Sequence, residues 1–181
     1  MNYLSNMNRV LAKLKTNLVS LNAMEKLTKE VAIGVRASNM RRVHNDGKAV
    51  NGNNIGTYST KATYINPKNS PRRFATGGKN STKSIFKNGK PRKTKYFKNG
   101  YKGFRNEIGR ETAYVNLQLT GTLKSDFNMV KTTNGWSVGF DKRAELSENL
   151  EKKYNKRIWG VSEQDRIIVN QIISNFIKRK L

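Results

Sequence analysis

FNMVKTTNGWSVGF, residues 127–140, carries the clearest fold signal in the chain. Asn134-Gly135 is the dipeptide favoured by two-residue hairpin turns, because both of its residues tolerate positive φ. Phe127, Met129 and Val130 stand before the turn, and after it Trp136, Val138 and Phe140 alternate with Ser137 and Gly139. A period of two puts the three large side chains on one face, so the segment reads as a β-hairpin with one covered and one open side. A covered face needs a layer to cover it, and the flanking sequence offers helices.

Downstream, Ala144 to Tyr154 reads as a charged helix with solvent-facing acids at Glu145, Glu148 and Glu151. Ser162 opens a last helix with Glu163 and Asp165 in its first turn and Lys178, Arg179 and Lys180 at its end, charges that suit the helix dipole. Ile168, Ile172 and Phe176, with Val169, Ile173 and Ile177 beside them, form a wide apolar stripe. Upstream, Tyr114, Val115, Leu117 and Leu119 read as a strand-like run.

At the N-terminus, Leu4, Met7, Leu11, Leu14, Leu18 and Leu21 recur at three- and four-residue steps opposite Arg9, Lys13 and Lys15. That is one stripe of a helix, read as core-facing because the repeat is too short to favour a coiled-coil seam. Asn22 is placed to cap a second helix through Met24, Leu27, Val31 and Val35, ending at Arg41, Arg42 and His44 before Asp46-Gly47. A strand through Val31, Ile33 and Val35 competes, and good helix formers from Glu25 to Val31 decide for the helix. His44 is expected to be a capping or surface residue. The fold expected is α+β, with N-terminal helices and a C-terminal helix packed on a small antiparallel sheet.

Two stretches fall outside that pattern within a single domain spanning 1–181. Residues 45–69 are rich in Asn, Gly, Ser and Thr, with turn signals at Asp46-Gly47, Asn51-Gly52 and Pro67, and read as loop with one brief strand at Ala62 to Ile65. Residues 70–98 carry Arg72, Arg73, Lys79, Lys83, Lys87, Lys90, Arg92, Lys93, Lys95 and Lys98, and Glu107 is the one acid between Lys68 and Arg110. Apolar content up to Lys95 is little more than Phe74, Ile85 and Phe86, and Gly77-Gly78 reads as a hinge. The expectation is an extended basic arm that orders only against a partner.

The 36 Lys and Arg against 12 Asp and Glu give a formal charge of +24, which repels itself unless a polyanion or an acidic protein surface sits opposite. One His and no Cys leave little material for a zinc site or a catalytic triad, and Gly77-Gly78-Lys79 lacks the spacing of a P-loop. The chain therefore reads as a non-enzyme without a cofactor or metal; a metal-dependent nuclease would have to use Glu107, Glu111 or Asp126. No apolar run approaches the roughly 20 residues of a membrane span, and the charged N-terminus does not read as a signal peptide, so a cytosol-like setting is expected. Phe86, Tyr96, Phe97, Tyr101 and Phe104 interleave with the cations. They could stack on the bases of a single strand, or pack onto the fold while the cations meet acidic neighbours. A non-specific nucleic-acid-binding protein is the alternative that follows from the first reading.

Arg42-Val43-His44, Asp46-Gly47, Gly52 and Asn54-Ile55-Gly56-Thr57-Tyr58-Ser59 together resemble the "dG-x-x-IG-x-YS" segment of the virion morphogenesis proteins of tailed phages. Asn99-Gly100-Tyr101-Lys102-Gly103-Phe104-Arg105 and Val115-Asn116-Leu117-Gln118-Leu119-Thr120-Gly121-Thr122-Leu123 look like that family's "GYxxFR…VNLxLTGxL" block. Gly135 to Phe140 and Ile158-Trp159-Gly160-Val161-Ser162 are similar to its "xWxIGF" strand and "R-x-x-FGLS" turn. The blocks run in family order from about Arg42 to Ser162, while the charged stretch from Asn149 to Lys156 and the longer arm from Lys79 to Lys98 depart from it. The resemblance implies a head-to-tail connector, or tail-completion, subunit without catalytic residues. It would form a homo-oligomeric, dodecameric ring in the virion neck, assembled in the host cytoplasm. Portal and adjacent neck or tail proteins would be its partners, packaged DNA a possible contact, and no membrane is involved. Connector, stopper-like and tail-proximal layers stay open.

Overall fold

In a computed structural model of the chain, the described residues are 21–66, 81–87, 90–133 and 135–179. They form helix α1 (Leu21–His44), strands β1 (Thr63–Ile65), β2 (Ser81–Lys87) and β3 (Lys90–Phe97), helices α2 (Gly100–Glu107) and α3 (Thr122–Asp126), strands β4 (Phe127–Thr132) and β5 (Gly135–Phe140), and helices α4 (Ala144–Tyr154) and α5 (Glu163–Lys178). This is an α+β fold with two antiparallel sheets, one of order β1-β3-β2 and one pairing β4 with β5. Most of the expected first helix, from Leu4 to Leu18, lies outside the described residues, as do the Gly77-Gly78 hinge, Arg72, Arg73 and Lys79.

The hairpin that opened the reading forms in the expected register, Phe127 opposite Phe140 and Thr132 opposite Gly135. Helix α1 covers it and packs on its other flank against α5. Contact between the two helices is close because position 34 is glycine: a Cβ there would lie 2.7 Å from Ile172 Cδ1. Asn22 lies inside α1 rather than capping it, since the helix is already running at Leu21. Its C-terminus closes where expected, with the Asn45 and Asp46 amides both donating to Arg41 O. Helix α5 starts on a reciprocal cap: Ser162 Oγ accepts from the Asp165 amide at 3.2 Å, and Asp165 Oδ2 accepts from the Ser162 amide at 2.6 Å.

Two expectations about the middle of the chain are overturned. Tyr114 to Leu119 is not a strand: Leu117 sits at φ 52°, and side chains occupy the backbone groups that a ladder would use. Asn116 O accepts from His44, Gln118 O from Arg105, and the Asn116 amide donates to Tyr58 Oη. Nor is the basic segment simply an arm waiting for a partner. Residues 81–87 and 90–97 pair with each other, Lys87 opposite Lys90 across Asn88-Gly89, and β3 also pairs with β1, Tyr64 opposite Tyr96. The third strand comes from the loop-like region at Thr63–Ile65, within the brief strand expected there. Phe97 ties this sheet down, stacking edge-on to Phe104 at 5.5 Å in a cluster with Ile108. The main cluster, Val43, Ala49, Ile55, Tyr58, Val115 and Ile158, is supplied largely by loops, and Tyr101 packs against both clusters.

Candidate functional site

Buried polar groups gather where the loops cross. Arg105, on the buried side of α2 and 1% exposed, donates from Nε to Glu111 O at 2.9 Å, from Nη1 to Gln118 O at 2.8 Å and from Nη2 to Asn116 Oδ1 at 2.9 Å. Its guanidinium also lies 4.1 Å from the centre of the Tyr58 ring. Tyr58 Oη donates to the same Asn116 oxygen at 3.1 Å, and burial raises its phenol above the ordinary value.

A second clasp sits at the end of α1. Arg42 donates from Nη1 to Ile158 O at 2.9 Å and from Nη2 to Gly160 O at 3.1 Å and Asn39 Oδ1 at 2.7 Å. Burial lowers its guanidinium's affinity for the proton, while Asp165 acts in the opposite direction. The turn it grips is held from the other side by Glu151, whose Oε1 accepts the Ile158 and Trp159 amides at 2.7 and 2.9 Å. Glu151 is therefore a loop anchor, not the solvent-facing acid expected from its helix. The spacing Val31, Val35, Asn39, Arg42 put Arg42 on the buried stripe; its charge concealed this.

His44 is buried, correcting its expected surface position. Its Nδ1 lies 2.8 Å from Asn116 O, so Nδ1 donates, and Nε2 is buried without a partner among the described residues. The ring stands 5.5 Å from Trp159. Burial first, and Lys124 secondarily, push its pKa below the ordinary 6.5, against the hydrogen bond to Asn116. The neutral ring is the folded form, so stability is full above about pH 6.5 and falls as the pH drops through the lowered value. Thermal unfolding should show a Tm that falls as the pH drops below about 6.5, with a flatter profile in His44→Gln. Equal slopes in the two proteins would refute this.

These networks hold loops in place. Glu107 pairs with Lys95 at 2.7 Å, Glu111 Oε1 accepts the Thr112 and Ala113 amides, and Asp126 Oδ2 accepts those of Lys142 and Arg143. Among the described residues no three His, Cys, Asp or Glu side chains cluster as metal ligands. An apolar cleft of about 490 Å³ runs between α1 and the β4–β5 hairpin, walled by Val35, Phe127, Val138, Phe140 and Trp159. No helix among the described residues is long and apolar enough to cross a membrane.

Of the basic residues singled out in sequence, Lys83 and Lys87 stand on β2, Lys90, Arg92, Lys93 and Lys95 on β3, and Lys98 is exposed just beyond it. The sheet thus brings six of them into one hairpin. Of the interleaved aromatics, Phe97 and Phe104 are buried and Tyr101 half-buried, which is the packing reading. The Phe86 side chain lies outside those described, and Tyr96 alone of the other four is exposed, paired with Tyr64, which the sequence had not singled out. Alternation along Thr63-Tyr64-Ile65 could have flagged it, but three residues are too short a window. Searches against family models, curated proteins and solved structures find no match to this chain.

Proposed function

We propose that this chain is a structural virion protein of a tailed phage, a ring-forming subunit of the neck that joins portal to tail. What supports the reading is the ordered run of resembling blocks, and one observation carries it furthest: residues from separate blocks bond to one another. His44, Tyr58 and Arg105 converge on Asn116, and Arg42 reaches Ile158 and Gly160. The quoted positions are those that hold loops in place. Such a frame suits a subunit that presents loops to its neighbours at fixed angles, as heterologous contacts around a closed ring require.

The test is quantitative mass spectrometry on purified, nuclease-treated particles of the phage that encodes the chain, with the major capsid protein as internal standard. A fixed copy number of about a dozen per particle is the expected result for a closed cyclic ring. Absence from the particle would overturn the proposal.

A further inference from the structure

We propose that the outer face of the β1-β3-β2 sheet, centred on Tyr64 and Tyr96, binds an unpaired stretch of nucleic acid by base stacking. The cations of the β2–β3 hairpin would meet its phosphates. The two faces of this sheet differ. On one, Phe97 is buried with Phe104 and Ile108, and Ile65 packs against them. On the other, Tyr64 and Tyr96 are register partners with ring centres 5.0 Å apart, tilted by 49°. They remain 48% and 37% exposed. A cross-strand pair serving only to hold an edge strand would gain by covering its rings. Here the two rings pack on each other yet stay partly exposed, so each keeps part of its surface open to a base.

The hairpin that carries Tyr96 is basic, with Lys95 alone of its cations paired to an acid among the described contacts, Glu107 at 2.7 Å. Residues 81–97 contain Lys83, Lys87, Lys90, Arg92, Lys93 and Lys95 and no carboxylate. Lys90 and Arg92 occupy β3 positions of the same parity as Tyr96, with the buried Thr94 between Arg92 and Tyr96 and Lys87 opposite Lys90. Where the chain enters β1, a cleft of about 360 Å³ is lined by Ser59, Thr60, Lys61, Lys102 and Thr112, a set of hydroxyls and ammonium groups suited to a phosphate. An acidic protein surface would satisfy the cations and could also bury the tyrosine faces, an outcome that the tyrosine variants below separate from base stacking. A duplex keeps its base faces stacked inside. An unpaired strand uses both features at once. The inference does not rest on the connector reading: a particle lacking the protein would leave it standing.

The experiment is fluorescence anisotropy on the full chain with a labelled 20-nucleotide oligothymidylate and a labelled 20-base-pair duplex, across a salt series. For the wild type, log Kd for the single strand should rise with log salt at a slope of about 3, falling to about 1 when Lys83, Lys87, Lys90, Arg92 and Lys93 become Gln. Tyr64→Ala and Tyr96→Ala should each weaken single-strand binding about fivefold or more, and the Tyr→Phe variants should bind within about twofold of wild type. Duplex affinity should not follow the tyrosines. Binding that depends on the lysines but not on the tyrosines would overturn the proposal and favour an acidic protein partner. So would a duplex affinity that falls in parallel, or no binding at all. Should the alanine variants fail to fold, photocrosslinking of the wild type to 5-iodouracil-substituted oligonucleotide decides: adducts on Tyr64 or Tyr96 support the proposal, and adducts confined to other residues overturn it.

Discussion

Arg105→Met should cost about 4 kcal/mol of folding stability, a large share of what a domain of this size has to spend. Methionine fills much of the same volume, so the loss is not one of packing. It comes from Glu111 O, Gln118 O and Asn116 Oδ1, which would stay buried without their donor. The groups holding the guanidinium are neutral: two backbone carbonyls, one amide and the Tyr58 ring. Lysine keeps the charge but concentrates its donors on one nitrogen, which cannot reach three carbonyls approaching from different directions. Urea unfolding of wild type, Arg105→Lys and Arg105→Met should therefore rank in that order. A methionine variant within about 1 kcal/mol of wild type would show that water or a rearranged loop replaces the hub.

The second large effect is expected at Gly100, the first residue of α2. Its φ is +56°, and a Cβ there would run into the Lys61 carbonyl oxygen and come within 2.8 Å of Ser59 O. Both obstacles are backbone, and the Lys102 amide pins Ser59 O from the same helix at 3.0 Å, so neither can step aside cheaply. Gly100→Ala should destabilise by about 3 kcal/mol, combining left-handed strain with a displaced loop. Gly52→Ala is the control. It has φ +79° but nothing within 4 Å of the added carbon, so strain alone should cost about 1 kcal/mol. Comparable Tm losses for the two variants would mean that the contact at Gly100 contributes nothing.

Which parts of this were legible in the sequence follows from what periodicity can report. The β4–β5 hairpin and α5 were legible because each combines an apolar period with a local end signal, Asn134-Gly135 and the Ser162–Asp165 cap, and α4 was legible from its charged run of helix formers. Tyr114 to Leu119 had a strand's composition but lacked a strand partner, since its carbonyls are taken by side chains, Arg105 from the helix just before it and His44 from far along the chain. Charge misled twice. Arg42 was read only as part of a basic helix end and Arg105 only as part of a resembling block, because a buried guanidinium gives itself away only through its acceptors, and backbone acceptors leave no mark in the sequence. The basic segment was read as an arm for its lack of apolar residues, yet Thr63–Ile65 supplies a strand partner and Phe97 an anchor. The cations of the candidate surface were legible; its Tyr64 half was not.

Arg42 and its acceptor on Gly160 are separated by 118 residues. On a ribosome adding about 5 to 20 residues per second, the buried stripe of α1 stays uncovered for on the order of ten seconds after it emerges. For most of that time neither the β4–β5 hairpin nor α5 exists to receive it. The first helix of the described fold is thus among the last elements to be secured, its Val31, Val35 and Val43 waiting for partners that the ribosome has yet to add.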